Sequence, residues 1–170
     1  MALPNILKDF NLFGDGNNWQ GQIPELTLPE LALRMVEYEG GGMGGPAEVE
    51  HGHELITFEW TPGGLIIDGL FDSFGSPVHD AAMLRFTGSY ESDEDGGIIP
   101  VEIVMRGRHK TIGMGDASKG DNNQMSVTTT CSYYKLTVDG EVIVEIDVPG
   151  YVFIVRGVDR LAQRRRALGL

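Results

Sequence analysis

An antiparallel, mainly β domain is what this chain predicts, and three observations carry the prediction. Apolar and polar residues alternate in several separate segments, which is the period of a strand with one face on a core. The loop Gly14-Asp15-Gly16 needs positive backbone φ between two short strands, and Asp139-Gly140 is a strong two-residue hairpin turn. Glycine is abundant, 24 of 170 residues, against a usual share of roughly 7%.

The first hairpin is predicted from residues 10–13, the turn Gly14-Asp15-Gly16, and residues 17–23. Pro24 and Pro29 restrict the chain to extended conformations and deliver it to residues 31–39. That segment stays open between helix and strand, because Leu31, Leu33 and Met35 alternate while its Ala, Leu and Arg favour helix. Ile56, Phe58 and Trp60 share one face, as do Leu84, Phe86 and Tyr90, and as do Ile99, Val101, Ile103 and Met105. Residues 133–138 and 141–148 are expected to pair across Asp139-Gly140, with Val142, Val144, Ile146 and Val148 on one side.

The stretch 124–138 differs in kind. Ser126, Thr128, Thr130 and Ser132 form a row of hydroxyls on one face, opposite Met125, Val127, Cys131 and Tyr133. Leu136 and Val138 then take the hydroxyl parity, which predicts a bulge or a change of packing partner near Tyr134. Two helices are expected. Residues 65–74 place Ile66, Ile67, Leu70, Phe71 and Phe74 at helical spacing before Gly75, and residues 159–168 form a short, arginine-rich C-terminal helix. The expected architecture is therefore mainly β (α+β): an antiparallel sandwich or barrel-like fold with one packed helix and a short C-terminal helix, as a single domain over residues 1–170.

Charge is unevenly placed. The total is -12, with 24 acidic and 8 basic residues up to position 155 and 1 acidic and 5 basic after it. Such a body repels nucleic acid, since wrapping DNA needs clustered Lys and Arg. Cys131 is the single cysteine, so no internal disulfide forms. The N-terminus lacks the pattern of a signal peptide and no segment has the roughly 20 apolar residues of a membrane helix. A soluble cytoplasmic product without a membrane anchor is expected.

Several motifs suggest chemistry and each lacks a part. Gly40, Gly42 and Gly45 match the glycine spacing of a dinucleotide fingerprint, but Pro46 and a strand follow where a helix N-terminus is required. His51, His53 and Glu54 offer metal ligands without a third sequence-near His or a Cys pair. Cys131 with His79 or His109 lacks the strained turn of a nucleophile. Asp93, Glu94 and Asp95 lack the spacing of a calcium loop. No catalytic residue, metal ligand or cofactor is expected.

Read in order, a set of segments spans nearly the whole chain. They are Asn11-Leu12-Phe13 with Gly21, Thr27-Leu28-Pro29, Glu37-Tyr38 into Gly41-Gly42-Met43 and Pro46, Met105-Arg106-Gly107-Arg108-His109-Lys110, Tyr133-Tyr134-Lys135-Leu136, Val138-Asp139-Gly140, Glu145-Ile146-Asp147, Gly157-Val158-Asp159-Arg160-Leu161 and Leu168-Gly169-Leu170. Together they resemble the major tail tube protein of contractile bacteriophage tails and R-type pyocins. The resemblance implies a structural virion protein, assembled in the host bacterial cytoplasm. Its hexameric rings would stack into the inner tube of a contractile tail that pierces the host envelope and conducts DNA. It also implies sheath, baseplate and tail terminator partners, with DNA passing through the lumen without tight binding.

On that basis Gly40, Gly41, Gly42, Met43 and Pro46 are expected in a loop at a subunit or ring interface, and Arg164, Arg165 and Arg166 are expected against acidic side chains of the same or an adjacent subunit. Ser126, Thr128, Thr130, Ser132 and Glu102 are the lumen candidates. The alternatives are the tube of a DNA-free injection device, pyocin or Hcp-like, and a small metal-dependent enzyme built on His51, His53 and Glu54.

Overall fold

The computed structural model describes residues 2–170. Its strands are β1 (Asn5–Gly14), β2 (Asn17–Asn18), β3 (Glu25–Thr27), β4 (Leu33–Tyr38), β5 (Ala47–His53), β6 (Ile56–Thr61), β7 (Ala82–Ser92), β8 (Ile98–Gly113), β9 (Ser126–Val138), β10 (Glu141–Asp147), β11 (Val152–Val155) and β12 (Val158–Asp159), followed by α1 (Ala162–Leu168). All pairings are antiparallel, and the main sheet runs β12-β11-β10-β9-β8-β7-β1-β2, with β6 and β3 branching from β9. The strands β4 and β5 pair only with each other.

Asp15 and Gly16 both take positive φ (47° and 83°), as do Asp139 and Gly140 (49° and 79°), the conformation that matches strand twist across a two-residue turn. The second strand of the first hairpin is only β2, because the chain leaves the ladder so that Trp19 can enter the core and stack on Trp60 with ring centres 4.9 Å apart. Ile56, Phe58 and Trp60 are all buried, with Leu84, Phe86, Ile103 and Met105 on the facing strands. Burying large apolar side chains of this kind contributes roughly 1.5–3 kcal/mol each, which makes this cluster the main source of stability.

β9 is where the sheet divides. It pairs with β8 along its length, while its other edge pairs with β6 through residues 127–131 and with β10 through residues 133–138. The register slips between Tyr133 and Cys131, so Ser132 is the extra residue, and Tyr134 rather than Tyr133 turns to the core. The change of phase expected near Tyr134 is this bulge.

One expected element is absent. Residues 65–74 fold as successive turns and not as a packed helix. Gly69 takes φ +76° in mid-segment, and its amide donates to Asp72 Oδ2, which breaks the helical ladder. Only Ile66 and Leu70 reach the core, leaving Leu65, Ile67 and Phe74 exposed. The C-terminal helix is shorter than its periodicity suggests, because Asp159 belongs to β12 and accepts the amide of Leu161.

Opposite the bulge, a Cβ on Gly107 would lie 1.8 Å from the carbonyl oxygen of Thr130. Gly107→Ala is therefore expected to cost at least about 1–3 kcal/mol, the range for overpacking a closed site. Urea unfolding of the variant should show a lower midpoint with an unchanged slope.

His109 is the other tight point. It is buried, its Nδ1 lies 2.9 Å from Thr129 Oγ1, and Nε2 has no partner among the described residues. Burial lowers its pKa below the ordinary 6.5, against a weaker opposing pull from Asp15. The unfolded chain therefore takes up this proton first, and the stability present above pH 6.5 falls as the pH drops towards the folded-state value. Urea midpoints measured between about pH 8 and about pH 5 should decline more steeply for the wild type than for His109→Gln.

Candidate assembly surfaces

The hairpin of β4 and β5 stands off the body as an arm. Its register pairs Val36 with Val49 and Tyr38 with Ala47 on one face, and Met35 with Glu50 and Glu37 with Glu48 on the other. One face is thus apolar and the other largely acidic, yet every residue of β4 is exposed, Tyr38 to 60%. Alternation in a strand usually marks a core face; here it marks a face with no core beneath it. A lone two-stranded hairpin is marginal in water, so a partner surface is the physical counterpart of this pattern.

Gly40, Gly41, Gly42, Met43 and Pro46 lie together in the loop at the tip of the arm. The amide of Met43 donates to the carbonyl of Gly40 at 3.1 Å, and Gly42 takes φ +87°. A Cβ at Gly41, Gly42, Gly44 or Gly45 would meet nothing within 4 Å, so no packing in the subunit itself demands glycine at these positions. The loop joins two antiparallel strands, and the helix that a dinucleotide site requires is not there.

At its root the arm is tied to the C-terminus. Glu50 accepts Arg164 Nη2 at 2.9 Å, and this bond, with a weaker one from the amide of Gly52, holds the Glu50 carboxyl below its ordinary range. Arg34 donates to the carbonyl of His51 at 2.9 Å, and His53 packs edge-on against Phe153 with ring centres 4.4 Å apart. Arg165 is bound to Asp159 and donates to the carbonyl of Tyr151 at 2.9 Å; the Arg165 hydrogen bond keeps the Asp159 carboxyl low. Arg164 and Arg165 thus meet acids of their own chain, and Arg166 lies on the exposed side of α1. An apolar cleft of about 630 Å³, floored by Ile56, Val152 and Phe153, opens between the root of the arm and α1.

The face of the main sheet opposite the core holds the hydroxyl row. Ser126 is exposed, and Thr128, Thr130 and Ser132 are half-buried on the side away from Val127, Thr129 and Cys131. The Ser132 hydroxyl is engaged by His79 Nδ1 at 3.1 Å. Glu102 lies on the same face through its pairing with Thr137 and Thr87. Sequence reasoning missed Arg85, Arg106, Tyr133 and Lys135, which share this face. Their alternation was visible, but their cross-strand neighbours depend on a register that two bulges shift.

The remaining motifs are placed as follows. Burial pushes the Cys131 thiol up to about 12, the opposite of what a nucleophile needs. His79 and His109 are engaged by Ser132 and Thr129. Among the described residues no three His, Cys, Asp or Glu side chains are gathered as metal ligands; Gly52 at φ +101° bends the strand between His51 and His53. In the acidic loop Asp93 pairs with Lys8 at 2.8 Å and Asp95 accepts the amide of Gly97.

Residues 4–169 match the family model described as phage tail tube protein FII. The chain is 39% identical over 172 residues, all of both chains, to the tail tube protein of Escherichia phage P2. It is 34% identical over 154 residues, 90% of this chain and 88% of the relative, to the major tail tube protein of Serratia phage KSP20. Among solved structures it resembles, at TM-score 0.57 and 11% identity, a chain of the sheath-tube complex of the PVC extracellular contractile injection system in the extended state, covering 79% of this chain and 91% of that one. A chain of the six-fold symmetrised baseplate of the anti-feeding prophage matches equally well, over 81% of this chain and 97% of that one. At that identity the likeness is one of fold.

Proposed function

This chain belongs to the phage tail tube protein family, and from that premise we propose that six copies close into a ring and that rings stack into the inner tube of a contractile tail. The arm supports this most directly: an apolar stripe of Val36, Tyr38, Ala47 and Val49 with nothing under it in the subunit. A protruding element that fits a different patch on the next copy makes a head-to-tail contact, which closes a ring or propagates a filament. The tip residues 40–46 and Arg164, Arg165 and Arg166 at the root are the interface residues of this proposal. Sheath, baseplate and terminator proteins are the partners such a tube needs, and the host bacterial cytoplasm is where it assembles.

The hydroxyl row and Glu102 line the lumen in this arrangement. Four strands from each of six subunits, at about 4.8 Å spacing, give a circumference of roughly 115 Å before tilt. A tilt of about 40° widens the backbone diameter to roughly 48 Å and leaves very roughly 35–40 Å between side chains, enough for a DNA duplex. Acidic subunits suit passage, since each phosphate contact would add an escape step.

Negative-stain electron microscopy of the purified protein across a concentration series should show rings or hollow tubes with six subunits per layer. Gly42→Val places a branched residue at positive φ on an exposed tip with open space around it, so the monomer should stay folded with at most a modest loss of stability while tube yield falls sharply; equal loss of both would remove the tip from the interface. Charge reversal of Arg164, Arg165 and Arg166 together should also abolish tubes, and normal tubes from that variant would exclude the C-terminal contact.

A further inference from the structure

The face assigned to the lumen is not simply acidic. Of the eight basic residues before position 156, Arg85, Arg106, Arg108 and Lys135 all lie on it. Three of them are held by the chain itself, and the fourth, Lys135, faces an acid across the ladder. Arg85 donates to Glu102 Oε2 at 3.2 Å, with its guanidinium carbon 4.3 Å from the centre of the Phe13 ring. Arg106 lies over the Tyr133 ring at 4.6 Å, and the Tyr133 hydroxyl donates to Glu145 Oε1 at 3.0 Å. Lys135 stands directly opposite Glu145 in the ladder, and Arg108 donates to the carbonyls of Pro77 (2.6 Å) and Val78 (3.2 Å).

These side chains are not hidden by burial; Arg85 and Glu102 keep 42% and 40% of their side-chain surface. What changes is the availability of their donors. A free guanidinium takes a phosphate through two parallel hydrogen bonds, whereas one already bonded to a carboxylate and stacked on a ring has fewer donors to offer and a neutralised field. Repeated around six subunits in every ring, free cations would make a gripping wall.

We propose that Glu102 and Glu145 act as charge-masking residues of the conduit, Glu102 by holding Arg85 in an ion pair and Glu145 by standing opposite Lys135 in the ladder, so that a passing duplex meets balanced and not free cations. The proposal rests on the lumen assignment above. Its test uses assembled tubes and a fluorescent 20-base-pair duplex (about two turns), with retention measured as a function of salt and nuclease added to the bound fraction. Tubes carrying Glu102→Gln should retain the duplex about tenfold more strongly than wild type at low salt, with a steeper salt dependence and with the DNA protected from nuclease. The double variant R85Q/E102Q should return to wild-type retention. Glu145→Gln gives the same readout through Lys135 if Glu102→Gln does not assemble.

Tubes whose retention is unchanged by either single substitution overturn the masking while leaving the tube intact. Retained DNA that nuclease digests puts this face on the outside and overturns the lumen assignment together with the masking. Failure of the wild-type protein to form tubes overturns the tube itself.

Discussion

The close passage of Gly107 against the carbonyl of Thr130 is the contact on which the rest of the structure depends. It lets β9 carry Ser132 as an extra residue without losing β8, so one strand serves two layers. Before the bulge, odd positions face a core shared with β6; after it, even positions face a core shared with β10. The side chains released to the other face, hydroxyls first and then Tyr133, Lys135 and Thr137, form a continuous polar surface, because the phase change occurs at one residue.

The same economy explains the contrast between body and arm. The body buries Trp19, Phe58, Trp60 and Phe86 in one cluster, and the arm buries almost nothing. A subunit built this way separates two tasks: the core lies within the chain, and the apolar face of the arm is left outside it. The acidic face of the arm and the net charge of -12 keep that surface soluble through mutual repulsion.

Much of this was legible in the sequence, and the failures have physical causes. Alternation located β6 to β10, and Asp139-Gly140 fixed one hairpin, because both signals are local. Residues 65–74 have helical spacing but become turns, since Gly69 must approach Asn17 and the carbonyl of Gly14 in a conformation that a helix forbids. Residues 31–39 stayed undecided because their apolar residues stay exposed and none joins the core that would fix their period. The ion pair of Arg85 with Glu102 and the placement of Lys135 opposite Glu145 are beyond a linear reading, since they follow from register between strands and not from spacing along one.

Cys131 has a consequence that extends to any assembly of this chain. The only thiol lies in the core with its pKa pushed up to about 12, so subunits crowded at high local concentration have no free sulfur with which to cross-link. No disulfide then joins one copy to the next. Contacts between copies made without disulfides are ones that a wrongly seated copy can leave.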